Sequence, residues 1–380
     1  MLKENNMQVP KLRFKEFKLP YSKYQLSNYL IESKLKNKNL IYNKNDVLSV
    51  SGKFGVINQI ELQGRSFAGE KVNNYHIVET NDIVYTKSPL KLSPYGIIKV
   101  NNGISGIVST LYAVYHVLPN AIPKYIDFYF NYNLRLNKYL KPIVNIGAKH
   151  DMKISNEYVL TNYVSFPSLE EQTKIANFLS LIDRKIELQE KLVENLKLYK
   201  KGLLKKVFSN NLGWKSAKFD DIFKVISTKK YQINSKEYLT FGKYPIIDQG
   251  KKKIIGYSNN QDKVLKCRKD GLIVFGDHTR ELKFIDFDFI VGADGVQLIY
   301  SSIVTTKYLY YYLQTCNIQN DGYSRHFKYL KEFNYLIPSI EEQNRIANLF
   351  SNLDKKMDFE TNRLTKLKEY KKGLLQQMFI

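Results

Sequence analysis

One helical segment occurs twice in this chain, and this internal duplication constrains the architecture more than any other feature. PSLEEQTKIANFLSLIDRK at Pro167–Lys185 returns as PSIEEQNRIANLFSNLDKK at Pro338–Lys356, and YKKGLLKKVF at Tyr199–Phe208 returns as YKKGLLQQMF at Tyr370–Phe379. Both matches share an offset of 171 residues, and 20 of the 42 positions from Pro167 to Phe208 are identical to their counterparts. Such repetition indicates a duplicated structural unit.

Each copy predicts a long helix that begins at the same point. Ser168 with Glu171, and Ser339 with Glu342, have capping-box spacing directly after a proline. Apolar residues then recur at steps typical of a coiled-coil seam, which favours an antiparallel pair of helices in a pseudo-twofold arrangement. A surface helix packed on its own domain remains the alternative. The predicted seam consists of Ile182, Ile186, Val193, Leu196 and Leu203 in the first copy and Leu353, Met357, Leu364, Leu367 and Leu374 in the second.

The sequence outside the repeats predicts two modules of mixed α and β structure, an α/β (α+β) fold. Short strand-like runs such as DIVYTK and LIVFGD precede helical stretches at Lys124–Leu140 and Thr306–Thr315. We therefore expect a first module at residues 1–165, a central helical spacer at 166–208, a second module at 209–336 and a C-terminal helical spacer at 337–380.

The charge balance indicates a polyanionic partner. The chain has 59 Lys and Arg against 36 Asp and Glu, a net charge of +23, which favours nucleic acid through general attraction and counterion release. The two repeats account for only +3 and +2 of this excess, so the variable modules hold most of it.

Cysteine use and hydropathy place the expected protein in the cytoplasm. Cys267 and Cys316 are too few and too far apart for a disulfide framework or a Cys-rich zinc site. The first residues lack the apolar core of a signal peptide, and no apolar run approaches the length of a membrane span. We expect no metal site and no membrane association.

The repeat pattern identifies a family. A proline, a small residue and Glu-Glu-Gln lead into a long helix, once at Pro167 and once at Pro338, after two dissimilar modules. This arrangement covers essentially the whole chain and resembles the specificity subunit of bacterial type I restriction-modification systems. The resemblance implies that each module is a target-recognition domain that reads one half of a bipartite, asymmetric DNA sequence, while the helices act as spacer and subunit-docking surface.

The resemblance also implies partners and cofactors. Two modification subunits would methylate adenine with S-adenosylmethionine, and two restriction subunits would translocate and cleave double-stranded DNA with ATP and Mg²⁺, as a defence against foreign DNA. This chain itself would be neither an enzyme nor a cofactor carrier. The half-sites would lie about one helical turn (~34 Å) apart.

Loop residues supply the candidates for DNA contact, because Arg, Lys, Asn and Gln read base edges while Lys, Ser and Thr hold phosphates. GAKHD and GYSRHF each place a cation and a His after a glycine, shortly before the repeated proline, so they are candidates for equivalent loops. The first module offers Lys53 in SGKFG, Lys87 and Ser88 in YTKSP, and Lys149 and His150 in GAKHD. The second offers Lys251, Lys252 and Lys253 in DQGKKK, His278, Thr279 and Arg280 in GDHTRE, and Arg325 and His326 in GYSRHF.

Two rival interpretations remain open at this point. A self-contained Mg²⁺-dependent nuclease could use Asp277, Glu281 and Lys283, although three-residue patterns of this kind are common by chance. A coiled-coil adaptor could use its charge to bind RNA. The sequence has no Pro-Pro pair, which the adenine-binding loop of a methyltransferase usually contains, and no Gly-Lys-Ser/Thr phosphate loop. Methyl transfer and ATP hydrolysis are therefore expected from partners. The 29 Tyr and 21 Phe are interpreted mainly as core residues rather than base-stacking platforms.

Overall fold

The chain divides into two compact units. This computed structural model describes residues 9–90, 92–146, 152–319, 322 and 324–380. Residues 1–189 and 363–380 form the first unit, and residues 190–362 form the second. Among the helices in the described ranges, none has both the length and the apolar character that crossing a membrane requires.

The first unit is built mainly from short strands, with two helices that follow the last long strand. Its elements, including the helix that continues beyond this unit, are β1 Ser22–Gln25, β2 Leu30–Glu32, β3 Leu48–Ser51, β4 Gly55–Asn58, α1 Gln59–Gln63, β5 His76–Val78, β6 Ile83–Thr86, β7 Ile97–Val100, β8 Gly106–Val108, β9 Tyr112–Val117, α2 Pro123–Phe130, α3 Asn133–Leu140, β10 Asn145–Ile146, β11 Met152–Lys153, β12 Tyr163–Phe166 and α4 Leu169–Ser209.

The second unit also consists of short strands followed by helices and a final strand that leads into a long helix. Its elements, including the helix that ends in the first unit, are β13 Lys215–Ala217, α5 Phe219–Ile222, β14 Lys224–Ile226, β15 Tyr244–Ile247, β16 Gly256–Ser258, β17 Val264–Leu265, β18 Leu272–Gly276, β19 Leu282–Ile285, β20 Phe289–Val291, β21 Val296–Tyr300, α6 Thr306–Leu313, α7 Phe327–Leu330, β22 Tyr335–Ile337 and α8 Ile340–Gln377.

Both units contain the same central antiparallel sheet. The strand order is β2-β9-β6-β7 in the first unit and β14-β21-β18-β19 in the second. In each unit, the first strand pairs with the strand that leads into the long helix: β1 with β12, and β13 with β22. The modules have diverged in sequence but keep one topology, as the internal duplication predicts.

The central sheet is covered on both faces. Along β18, Ile273 and Phe275 pack into a cluster with the helices, whereas Leu272 and Val274 pack into a second cluster with β15 and β20. This alternation follows from the two-residue period of a strand. All four side chains are apolar because neither face of this strand meets solvent.

The ends of the long helices lie inside the cores of the units. In the first unit, Phe379 packs on Tyr125 and Tyr129, with ring centroids 5.2 and 6.0 Å apart. In the second unit, Phe208 packs in the same way on Tyr308 and Tyr312, at 5.7 and 5.3 Å. Burying one such ring contributes about 1.5–3 kcal/mol. The last turns of α4 and α8 are therefore core elements.

Within each unit, the two helix segments run antiparallel. In the first unit, Tyr21 Oη lies near both Glu171 at the start of α4 and the Met378 carbonyl just beyond α8. Twelve residues further along α4, Asp183 forms an ion pair with Lys371, seven residues back from Met378. This opposite progression along the two segments is what defines antiparallel packing.

The second unit contains the counterpart of this ion pair. Lys200 Nζ lies 2.7 Å from Asp354 Oδ1, and the repeat offset carries Asp183 to Asp354 and Lys200 to Lys371. All ten predicted seam residues are buried or half-buried. Ile182, Leu203, Leu353 and Leu374 nevertheless pack against the module cores. Part of each seam therefore packs as in the alternative interpretation, in which the helix docks on its own domain.

The glutamine of the repeated Glu-Glu-Gln run explains how each helix docks. Gln172 accepts a hydrogen bond from Ile122 N at 3.1 Å and donates one to the Pro167 carbonyl at 3.1 Å. Gln343 does the same with Thr305 N at 2.9 Å and the Pro338 carbonyl at 3.0 Å. Both glutamines are buried, so each fixes the start of α2 or α6 to the start of a long helix.

Two local expectations need correction or refinement. The helical stretch predicted at Lys124–Leu140 is two helices, because the chain turns at Asn131, whose side chain accepts a hydrogen bond from buried Lys99. At the helix start, Ser168 Oγ accepts the Glu171 N–H at 3.4 Å as the capping-box spacing predicts. The Glu171 carboxylate is bonded by both arms of the Arg13 guanidinium, at 2.8 and 2.7 Å.

Tyr125 and Tyr308 occupy equivalent positions and differ in one hydrogen bond. Both are fully buried, and burial raises the pKa of each phenol well above its usual range. Tyr308 Oη donates to the Leu336 carbonyl at 2.6 Å. Within the described part of the chain, Tyr125 Oη has no hydrogen-bond partner.

We predict opposite effects for the same substitution at these two positions. Tyr125→Phe should raise the free energy of unfolding by about 1 kcal/mol, because it removes an unsatisfied buried hydroxyl. Tyr308→Phe should lower it by about 1–3 kcal/mol, because it removes a bond to a carbonyl. Urea unfolding of both variants tests this, and equal destabilisation by the two would contradict it.

Candidate nucleic-acid interface

Two of the predicted candidate groups lie on equivalent hairpin connections. Val84 of β6 pairs with Lys99 of β7, and Val274 of β18 pairs with Lys283 of β19, so the two hairpins share a register. Counting forward from these pairs, Lys87 and Ser88 follow β6 where Asp277 and His278 follow β18. Loops at matching places on the two modules therefore carry candidate residues.

The β18–β19 turn has a backbone conformation that is unusual for its residue types. Arg280 has a φ of +62°, in the left-handed region that non-glycine residues seldom adopt. Its N–H donates to the Gly276 carbonyl at 2.7 Å, and its guanidinium donates to the Ile318 carbonyl at 3.2 Å. Gly276 is required because a Cβ there would lie 2.7 Å from the Gln249 carbonyl.

Gln249 joins the β15–β16 loop to this turn. Its side chain accepts the His278 N–H at 3.1 Å and donates to the Asp294 carbonyl at 3.0 Å, while its own carbonyl accepts the Thr279 hydroxyl. The loop that carries Lys251–Lys253 is thereby held beside the turn that carries His278, Thr279 and Arg280. Sequence reasoning missed Gln249 because nothing in DQGKKK distinguishes it from a solvated polar residue.

Lys283 holds the β15–β16 loop from the buried side. Its ammonium group donates to the Asp248 carbonyl at 2.7 Å, and its side chain is 7% exposed. Desolvation lowers its pKa, with Asp248 opposing that shift. Lys251, Lys252 and Lys253 are all exposed, so this loop presents three cations to solvent above one buried anchor.

The loop at Ser324–Phe327 meets this turn as well. Asp277, which is 2% exposed, accepts the Phe327 N–H at its Oδ1 and the His326 N–H at its carbonyl, both at 2.8 Å. The Ser324 carbonyl accepts a hydrogen bond from His278 Nδ1 at 3.2 Å. All three candidate groups of the second module are therefore connected by hydrogen bonds into one loop cluster.

Arg325 and His326, adjacent in sequence, have opposite environments. Arg325 is exposed, whereas His326 is 0% exposed and its Nδ1 donates to the Asp277 carbonyl at 2.9 Å. In this conformation the His326 ring holds the loop and is not offered to a ligand. Of this pair, Arg325 is the side chain available for contact.

In the first module, the candidates that the structure describes lie in the β3–β4 hairpin and at the start of the connection between β6 and β7. Lys53 is exposed at the tip of the β3–β4 hairpin, and Lys87 is half-buried, with a pKa lowered by desolvation. Ser88 is exposed beside it. A cavity of about 300 Å³ separates that hairpin from the loop after Ser88, and is lined among others by Gly52, Leu90, Ser93, Lys99 and Asn131.

Lys149 and His150 lie outside the described residues, so their predicted equivalence to Arg325 and His326 stays a prediction. The strands that flank them, β10 and β11, form an antiparallel pair. Met152 Sδ in β11 lies 3.9 Å from Tyr85 Oη in β6. The strand that leaves this loop therefore contacts β6, the strand that directly precedes Lys87.

The described residues contain one group that could share a metal ion, and it lies outside these loops. Glu79, Asp82 and His116 place ligand atoms within 4.8 Å of one another. Asp82 already accepts the Glu79 N–H at 2.8 Å and contacts His116 Nδ1 at 2.7 Å, which satisfies its carboxylate. Asp277 and Lys283 likewise have structural partners, and nothing in this geometry supports the nuclease interpretation.

Comparison with known proteins places the chain in a family. The model of the type I restriction modification DNA specificity domain matches residues 30–198 and again residues 211–369. These two matches cover most of the sequence, so the chain belongs to this family, as the resemblance of the repeats predicted. The match to each half also agrees with two modules of one topology.

Individual relatives agree with this assignment. The specificity subunit of the type I restriction enzyme EcoR124I/EcoR124II of Escherichia coli is 31% identical over 98 residues, which span 25% of this chain and 24% of the relative, or about a quarter of each. The crystal structure of the type I restriction-modification S subunit from M. genitalium matches 98% of this chain and 99% of that chain, with a TM-score of 0.65 and 15% identity.

A further solved chain comes from a structural study of complex assembly and conformational transition in the type I restriction-modification system. It matches 96% of this chain and 99% of that chain, with a TM-score of 0.55 and 15% identity. At such low identity, both structural matches demonstrate the fold alone. Contacts with DNA must be argued from the residues of this chain.

We predict that Arg325 and His326 differ sharply in their effect on stability. His326→Ala should lower the free energy of unfolding by about 2–3 kcal/mol, because it removes a buried hydrogen-bond donor. Arg325→Ala should change it by less than about 0.5 kcal/mol, because the side chain is at the surface. Denaturant unfolding of the full chain measures both effects. A stability loss confined to Arg325→Ala would contradict the buried, structural role of His326.

Proposed function

We propose that this chain is a non-catalytic, sequence-specific DNA-binding subunit that directs a type I restriction-modification complex to a bipartite, asymmetric target. One observation supports this proposal most directly. The family model matches both modules, and each module has basic residues on an equivalent hairpin connection. Since Lys87–Ser88 and Asp277–His278 differ in chemistry at matching positions, the two half-sites should differ in sequence. Each module would read one of them.

The partners and cofactors in this proposal are those that the resemblance to the family implies. Double-stranded DNA is the ligand, two modification subunits supply adenine methylation with S-adenosylmethionine, and two restriction subunits supply ATP-driven translocation and Mg²⁺-dependent cleavage. The proposed location is the bacterial cytoplasm. The net charge of +23, most of it outside the repeated helices, supports an electrostatic component of DNA binding.

Within each module we assign different tasks to the candidate residues. Arg325, Arg280 and His278 lie in one cluster with polar side chains that can approach base edges, and we propose that they read bases. The exposed Lys251, Lys252 and Lys253 are better suited to phosphates, because an ammonium group contacts them as a point charge. Lys53, Lys87, Ser88 and Thr279, with Lys149 and His150, remain proposed contacts.

Arg325→Ala should relax base preference in the half-site of the second module only. A lost bidentate base contact corresponds to about 1–3 kcal/mol of discrimination. Selection of bound sequences from a randomised duplex pool measures this preference, and Lys269→Ala is the matched control. Lys269 is also exposed and basic but lies before β18, at the end of that strand away from the turn.

The outcome separates base readout from phosphate contact. If Arg325→Ala weakens all sequences equally and reduces the salt slope by about one, Arg325 contacts a phosphate and the base-reading role is refuted. If wild-type chain shows no base preference in the same selection, the proposed function itself fails.

The spacer role of the long helices predicts that the gap of the target depends on their length. Deleting residues 187–193 and the equivalent residues 358–364 removes one heptad, or about 10 Å, from each helix. The unread gap should then shorten by about three base pairs. Mapping modified adenines in cells that co-express the variant with modification subunits measures the gap.

Duplicating the same two heptads is the matched control and should lengthen the gap by the same amount. Both variants leave the buried helix ends at Phe208 and Phe379 in place, so the module cores are preserved. A target whose gap stays the same in both variants would refute the spacer role.

A further inference from the structure

Asp277 is a buried carboxylate at the centre of the second module's loop cluster, although it lies between a strand and a surface turn. It is 2% exposed, and its hydrogen bonds in the described part of the chain reach residues 295–297 and 326–327. Its N–H donates to the Gly295 carbonyl at 2.7 Å, Oδ1 accepts the Phe327 N–H at 2.8 Å, and Oδ2 lies 3.5 Å from Gln297 Nε2. A carboxylate withdrawn from water in this way can organise a loop but cannot contact DNA.

The backbone of Asp277 holds the same loop a second time. Its carbonyl accepts the His326 N–H at 2.8 Å and His326 Nδ1 at 2.9 Å. Because a carbonyl can only accept, Nδ1 carries the hydrogen, which leaves Nε2 to accept from the Ser324 hydroxyl at 3.5 Å. Asp277 thus holds the backbone N–H groups of residues 326 and 327 and Nδ1 of the His326 ring. That ring in turn accepts from the Ser324 hydroxyl.

These bonds bracket Arg325. Ser324 is tied to the turn through His278, and His326 is tied to it through Asp277, so the exposed Arg325 is carried between two anchored neighbours. The side chains of His278 and Arg280 lie on the turn that directly follows Asp277. One buried residue therefore fixes the backbone on both sides of the candidate base-reading side chains.

We propose that Asp277 is a positioning residue for sequence readout by the second module: its side-chain acceptor and its carbonyl hold the Arg325 loop against the β18–β19 turn. This inference rests on the proposed DNA-reading function. The equivalent position of the first module is Lys87, a half-buried cation, so the first module positions its loop by other contacts. Loss of the Asp277 carboxylate should therefore affect one half-site and spare the other.

The test uses the full chain and selection of bound sequences from a randomised duplex pool. Asp277→Ala should reduce discrimination at the half-site of the second module by about tenfold or more, with the first half-site read as in wild type. Asp277→Asn keeps an oxygen acceptor for the Phe327 N–H and should restore most of the discrimination. A purely structural role would lower binding to all sequences together.

The matched control is Asp288→Ala. Asp288 also accepts a backbone N–H, from Cys267 at 2.8 Å, but it lies after β19, at the end of that strand away from the turn. This variant should leave base preference in both half-sites unchanged even where stability falls. Should Asp277→Ala fail to fold, His326→Phe removes the Nδ1 donor while keeping a ring, and the same half-specific loss is expected.

Three outcomes overturn the proposal. Unchanged preference in both half-sites for Asp277→Ala, or for His326→Phe where the former does not fold, refutes the positioning role. An equal loss in both half-sites refutes it too. An Asp277→Asn variant as impaired as Asp277→Ala refutes the acceptor as the cause. A wild-type chain without any base preference would instead refute the proposed function.

Discussion

The packing of a helix end into a module core is the interaction on which the rest of the structure depends. Phe379 contacts Tyr125 and Tyr129 in the first unit, as Phe208 contacts Tyr308 and Tyr312 in the second. Because the ring belongs to the end of one long helix, while the start of the other packs in the same cluster, neither core is complete without both helices. Phe208 and Phe379 occupy the same position in the two repeats, and both copies make this packing.

This shared frame leaves the loops free to diverge. The buried glutamines Gln172 and Gln343 make the same pair of hydrogen bonds in each unit, and the registers of the two hairpins agree. At the first position after the equivalent strands, however, the first module has Lys87 and the second has Asp277. A cation and a buried carboxylate organise their surroundings differently, so different loop geometries follow from one scaffold.

The sequence predicted the elements well because their signals are local. Capping residues, the apolar period of the helices and the short apolar runs of β6 and β18 are all visible within a few residues. The environment of His326 was not predictable in this way, because its burial depends on Asp277, 49 positions away. For the same reason Gln249 and Gln172 were overlooked: their partners lie 29 and 50 residues distant.

Charged side chains are paired differently in the repeated helices and in the loop cluster of the second module. In the repeated helices, Lys371 and Lys200 are each neutralised by an aspartate, and these segments contribute little to the total charge. In the loop cluster of the second module, Asp277 is buried and its carboxylate accepts the Phe327 N–H, whereas Arg325 and Lys251–Lys253 face solvent. The carboxylate of Asp277 does little to offset these surface cations, because it is withdrawn from solvent.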